Sequence, residues 1–217
     1  MADLCRGYAG RLHYRRQRCA DRLQHARDRL YGRRAAFGRD CCDQCRHFGG
    51  APAWRQNGEH AMARISHDVF DAPAVTTLVL FIGINDISWP GTAFAPTQPM
   101  PALSSLQEGY RKLAALAKSR GLRVIGVTLA PFRGALAGTP LDNYYDDDKN
   151  RLRLAVNAWI RDAGIFDAVV DADSLLQDRH DVTKLDARYD SGDHLHPGPG
   201  GNAVLAQAIA GQVRSCR

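Results

Sequence analysis

The sequence predicts an α/β fold with a mainly parallel sheet. Strand-like and helix-like segments alternate from residue 75 to the end of the chain. The strand-like runs are short and almost continuously apolar, as in strands covered on both faces. A helix-length stretch separates each from the next, which suits right-handed crossovers between parallel strands.

Taken in order, residues 61–70 (AMARISHDVF) give a short helix with Ile65 and Val69 inward, stopped before Pro73. Val75 to Ile82 (VTTLVLFI) is the first buried strand. Residues 88–101, with Pro90, Gly91, Pro96, Pro99 and Pro101, read as a loop. Ser105 and Glu108 have capping-box spacing at the head of a helix over 106–119. Leu106, Tyr110, Leu113 and Ala117 share one face of it, and Gly121 falls where a C-terminal cap belongs. Arg123 to Leu129 (RVIGVTL) is the second strand, with its core at 124–129, and a long loop covers 133–146. Asp146, Asp147 and Asp148 suit the positive N-terminus of a helix over 150–163. That helix carries Leu152, Val156, Trp159 and Ile160 on one face and is stopped by Gly164. Phe166 to Val170 is a third, short strand within residues 166–171, and residues 172–195 read as an Asp-rich loop. After Pro197, Val204, Leu205, Ala208, Ile209 and Val213 mark a terminal helix.

The 217 residues divide sharply in composition. Residues 1–60 hold 13 Arg, no Lys and six acids, a balance of +7, whereas the remainder carries −1. Five of the six Cys (Cys5, Cys19, Cys41, Cys42, Cys45) lie in the same stretch, which has no Val, Ile, Ser or Thr. Strands favour β-branched residues, so this stretch is poor strand material and buries little apolar area to offset ordering. Two regions are therefore expected: a poorly ordered Arg- and Cys-rich segment over 1–57, and a globular domain over 58–217. No apolar run approaches 18 residues, so no transmembrane helix is expected, and the first 30 residues show no secretory h-region. The compartment is left open.

Open α/β sheets place ligands at the carboxyl ends of their strands. Gly83-Ile84-Asn85-Asp86 follows the first strand directly, and Asp193-His194-Leu195-His196-Pro197 precedes the last helix. Gly-x-Asn-Asp after a strand and Asp-x-x-His before a C-terminal helix, in this order, resemble the SGNH/GDSL hydrolase family. The likeness spans roughly residues 58–213. It implies a three-layer α/β/α fold of flavodoxin-like type and hydrolysis of carboxylic esters through an acyl-serine intermediate, without metal or cofactor. By that resemblance His196 is the general base, Asp193 orients its imidazole, and Asn85 donates to the oxyanion of a tetrahedral intermediate. Gly83 lets the backbone turn tightly beneath the site, and Asp86 holds the loop. His194 is assigned a solvent or loop role, pointing the other way from His196 in an extended segment. The implied substrates are small-molecule or carbohydrate-linked esters.

The chain departs from the family at the nucleophile. The family's first block is Gly-Asp-Ser after the first strand, and here no Ser precedes Ser66. The nucleophile is thus unassigned; the candidates include Ser66, Ser88, Ser104, Ser105, Ser174, Ser191 and Ser215. Gly49 and Gly50 do not match the family's second block securely. A GC-rich coding sequence read out of frame before about Asn57 would account for the composition and for the missing serine. Two other readings attach to the same segment. Its arginines suit phosphate neutralisation by a nucleic-acid-binding segment on a silent α/β domain, although it shows no recognised module. Cys42-x-x-Cys45 with His47 has zinc-ligand character, but no second pair stands at standard spacing, so no metal site is assigned.

Overall fold

A computed structural model describes residues 60–214. The Arg- and Cys-rich segment over 1–57, the Cys42-x-x-Cys45 pair and Ser215 lie outside the described residues.

Helix α1 (Ala61–Ile65) continues as a π-helical turn, Ser66–Phe70. Strand β1 (Thr77–Leu80) leads into the short helix α2 (Ile84–Ser88). The long helix α3 (Leu103–Ser119) returns the chain to β2 (Arg123–Val127). Then come a 3-10 turn (Asp142–Tyr144), α4 (Asp147–Asp162) and β3 (Ala168–Val170). The described chain closes with α5 (Ala172–Leu176) and α6 (Pro199–Arg214). The described strands form one parallel sheet in the order β1-β2-β3, with Thr77 opposite Arg123 and Ile125 opposite Ala168.

Alternation along the strands sorts the side chains into two layers. Leu78, Leu80 and Val124 join the apolar faces of α3 (Leu106, Tyr110, Leu113, Ala117) and α4 (Val156, Ile160). Ile125, Val127 and Val170 point the other way and meet Leu205 and Ile209 of α6. Helices thus cover both faces, as the apolar runs require. Burying each such side chain stabilises by about 1.5–3 kcal/mol relative to exposure. Gly126 is needed where β2 passes under the aromatic trio: a Cβ there would lie 2.7 Å from the Phe166 ring. Phe166 stands edge-on to Tyr110 and Trp159.

Asp146 caps α4 as expected, accepting from the Lys149 N–H at 2.8 Å. Gly121 and Gly164 end α3 and α4 with φ of +73° and +64°. Three expectations are corrected. The strands are shorter than their apolar runs, because the flanking residues turn into loops once pairing stops. The Ser105–Glu108 spacing is not a capping box: α3 begins at Leu103, its N-cap is Ala102, and no side chain caps it. Both residues therefore lie inside the helix. Residues 172–195 are not wholly loop, since Asp171 accepts from the Ser174 backbone and hydroxyl and starts α5.

Candidate active site

Gly83 has φ +115° and ψ −17°, which only glycine adopts without strain. That conformation turns the chain out of β1 straight into α2, whose Asn85, Asp86, Ile87 and Ser88 are all buried. Asn85 is 5% exposed, and its Oδ1 accepts a hydrogen bond from the Tyr144 hydroxyl. Beneath it, the Tyr110 hydroxyl donates to the Ile82 carbonyl at 2.5 Å. Burial, and then the Asp86 carboxylate, push the Tyr110 phenol far above its ordinary range. It is held as a neutral donor that pins the end of β1.

The second motif is shaped by aspartates. In the segment before α6, side chains of Asp178, Asp181, Asp186, Asp190 and Asp193 each accept backbone N–H groups two to four residues ahead. Such Asx turns fix an irregular path without regular structure. At the last of them, Asp193 Oδ1 accepts from the N–H groups of Leu195 (2.9 Å) and His196 (2.8 Å). Its Oδ2 lies 2.5 Å from His196 Nδ1. Burial pushes the Asp193 carboxyl up, but the His196 N–H, the His196 imidazole and the Leu195 N–H outweigh it and bring its pKa down to about 2. An ionised carboxylate only accepts, so Nδ1 carries the hydrogen in this pair, and Nε2 is the ring nitrogen that Asp193 does not engage.

A neighbouring pair has the same form. His194 Nδ1 lies 2.5 Å from Asp190 Oδ2, and the ring covers Gly134. The expected extended backbone at His194 is corrected: its φ is +59°, because Asp190 also accepts the His194 N–H and curls the segment back. The His194 side chain is 57% exposed, that of His196 40%.

The two motifs meet at one small aromatic cluster. Ile84, beside Asn85, and Leu195, beside His196, both pack against the cluster formed by Trp89, Ala95, Phe132, Ala135 and Tyr144. The loop after β2 supplies Phe132 and Ala135 and ties back through the Leu136 N–H, which donates to the Asp193 carbonyl at 3.0 Å.

Sequence reasoning missed the polar supports. Lys149 is 3% exposed, and its ammonium donates to the carbonyls of Ser88 (2.9 Å) and Asn143. Arg153, also buried, donates to Asn150, to the Leu129 carbonyl and to Asp173. Asn157 bonds both the N–H and the carbonyl of Leu129. These residues lie on α4 at i, i+4 and i+8, beside an apolar stripe. The spacing Lys149, Arg153, Asn157 was the available signal.

Among the described residues no serine hydroxyl bonds to His196. The Ser88 side chain is fully buried with its Oγ unbonded, and the Ser174 hydroxyl is taken by Asp171. No group of three or more His, Cys, Asp or Glu among the described residues is placed to hold a metal ion. No described helix is long and apolar enough to cross a membrane.

A sequence model of the GDSL-like lipase/acylhydrolase family matches residues 6–204. The chain belongs to this family. The match begins well upstream of residue 58, where the motif resemblance starts, and takes in most of the Arg- and Cys-rich segment. Among solved structures, a GDSL-like lipase from Bacteroides thetaiotaomicron is similar in fold. It is 19% identical, with a TM-score of 0.57, over 75% of this chain and 78% of that one. A protein named as an acylhydrolase from Bacteroides fragilis is 20% identical, with a TM-score of 0.53, over 70% of this chain and 67% of that one. No curated protein matches the chain. The GDSL family assignment and these folds agree with the three layers built above from the strand alternation.

Proposed function

We propose that this GDSL-family chain is a carboxylic-ester hydrolase in which His196 is the general base, Asp193 its orienting carboxylate and Asn85 the side-chain oxyanion donor, with Gly83 shaping the turn beneath. The observation that carries the reading is the 2.5 Å Asp193–His196 pair, on a loop that shares an aromatic cluster with the Asn85 turn. In the acyl-serine route a serine hydroxyl gives its proton to His196 Nε2 and its oxygen bonds to the ester carbonyl carbon. The carbonyl oxygen becomes an oxyanion facing Asn85, and the leaving alkoxide takes the proton back from His196. Water repeats the sequence and releases the acid. An oxyanion donor of this kind is worth about 2.7–4 kcal/mol in other hydrolases. The substrate class is a small or carbohydrate-linked ester, and no cofactor takes part.

The attacking serine is the weak point of the chain as written. No described serine is presented to His196, and no Gly-Asp-Ser exists in the sequence. We assign residues 1–57 to a segment whose coding frame rejoins near Asn57, ahead of a hydrolase domain at 58–217, although the family match takes in most of that segment. Removing a triad nucleophile costs about 10⁶-fold in kcat, and a loss of that order is expected here. Aryl-acetate hydrolysis by the purified 217-residue protein, with His196→Ala as control, tests the reading. A trace rate that disappears in the control supports it. A rate equal in parent and control rejects the role of His196. Ordinary enzyme turnover that disappears in the control rejects the claim of a missing nucleophile.

A further inference from the structure

We infer that Tyr144 is a positioning residue that sets the amide plane of Asn85, so that Nδ2–H₂ rather than Oδ1 faces the reacting carbonyl. The inference rests on the reading of Asn85 as oxyanion donor.

The amide of asparagine has one accepting and one donating edge, fixed in a plane, on a torsion that is broad and roughly two-fold. Left to itself, such a group presents either edge. Presenting Oδ1 to an oxyanion sets two negative oxygens against each other, so an unguided Asn85 would oppose the chemistry about as readily as assist it. At Asn85 the Tyr144 hydroxyl donates to Oδ1. With the oxygen edge engaged there, the donor edge is directed to the other side. The same bond draws electron density toward Oδ1 and makes the remaining N–H groups stronger donors.

A positioning group must itself be held. Tyr144 is almost fully buried, and its ring stands edge-on to Phe132 at 6.3 Å between centroids and 86° between planes. It ends a 3-10 turn fastened to the end of α2 and to the loop that follows it. The Lys149 ammonium spans the carbonyls of Asn143 and Ser88, and Asn143 Nδ2 reaches the Gly91 carbonyl at 3.5 Å. Donor and amide thus move together as one braced unit. Nothing in a Gly-x-Asn-Asp motif requires this tyrosine, which lies 59 residues further along the chain.

Tyr144→Phe removes the hydroxyl and keeps the ring. In the full-length ¹⁵N-labelled protein, the Asn85 side-chain amide pair is identified by its loss in Asn85→Asp. Tyr144→Phe is expected to shift that pair and to speed its hydrogen exchange by about fivefold, as loss of one neutral hydrogen bond predicts. The Asn202 pair, bonded to the Pro197 carbonyl, stays unmoved as an internal reference. An unchanged Asn85 pair overturns the inference. The kinetic arm is a double-mutant cycle on aryl-acetate hydrolysis. Tyr144→Phe alone is expected to lower kcat about tenfold with KM within about twofold, and to cost nothing further in an Asn85→Ala background. An equal cost in both backgrounds overturns the inference. If Asn85→Ala hydrolyses as fast as the parent, the oxyanion reading itself fails, while the spectrum still reports whether Tyr144 orients the amide.

Discussion

The ammonium of Lys149 donates 2.9 Å to the carbonyl of Ser88, so a buried charge on α4 closes the C-terminal end of α2. Burial lowers the Lys149 pKa and the nearby Asp146 carboxylate partly restores it. Two carbonyls accept hydrogen bonds from the ammonium there. Lys149→Met keeps the stem but takes the donor from the buried Ser88 carbonyl and from the partly buried Asn143 carbonyl. A buried carbonyl left unsatisfied costs about 1–3 kcal/mol. The variant is expected to lose a few degrees or more of Tm in a calorimetric scan. An unchanged Tm would mean that water or a shifted loop replaces the ammonium without cost.

Further along the same helix face, Arg153 and Asp173 form a buried pair at 2.5 Å, and Arg161 reaches the other oxygen of Asp173 at 3.0 Å. Asp173→Ala leaves the Arg153 guanidinium, 1% exposed, without its counter-charge. Breaking a buried pair by removing one partner costs about 3–5 kcal/mol. Because Arg153 also holds the Leu129 carbonyl, the loop after β2 is expected to loosen with it. Denaturant unfolding should show a lower midpoint at unchanged slope. A double replacement of Arg153 and Asp173 by apolar residues should recover much of the loss, and failure to recover any of it would argue that the pair matters through its hydrogen bonds to Leu129 and Asn150 instead.

The sheet was legible because periodicity reports burial directly. Three apolar runs, two helices with clean faces and the caps at Asp146, Gly121 and Gly164 all lie where the sequence implied. What escaped was polar and non-local. Ser105 and Glu108 have the right spacing for a cap, but Ala102 follows Pro101 and the helix starts there without one. Helix α5 is a single turn launched by Asp171, too short for any period to show. At the site, Asp193, His196 and Asn85 were visible as motifs, whereas Tyr144 and Lys149 were not. Their partners lie about 60 residues away, and only the folded chain brings them together.

Acid should weaken the domain in a defined window. Burial pushes the Asp171 carboxyl up, but hydrogen bonds from Arg161, the Ser174 hydroxyl, Thr128 and the Ser174 N–H bring its pKa to about 2, and Asp193 also stands at about 2. An unfolded Asp titrates near about 3.9. A carboxyl whose folded pKa is depressed contributes its stability in full above the unfolded value and loses it as pH falls through the folded one. Tm is therefore expected to hold down to about pH 5 and then drop toward pH 2. Asp171→Asn should start lower and fall less steeply. Parallel slopes for parent and variant between those limits would remove Asp171 as a contributor.

The two histidine–aspartate pairs make the sharpest prediction about the site. By geometry alone they are alike, each with Nδ1 at 2.5 Å from a carboxylate oxygen, so pairing by itself does not choose the base. Their settings differ. Asp190 curls the His194 backbone into the left-handed region and lays the ring on Gly134, with more than half of the side chain in solvent. His196 is less exposed, and the residue before it packs into the cluster that also takes up Ile84, next to Asn85. If His196 is the base, His196→Ala abolishes whatever ester hydrolysis the protein shows, and His194→Ala leaves kcat within about threefold. General-base assistance is typically worth about 10²–10⁴-fold, so the two variants are readily told apart. Asp193→Asn should resemble His196→Ala, since an amide at that position no longer fixes Nδ1–H and Nε2 loses its assigned role. Asp190→Asn should resemble the parent in rate and differ only in the order of the loop. Measuring all four single variants on one aryl acetate decides the matter, and a larger loss for His194→Ala than for His196→Ala would transfer the general base to His194.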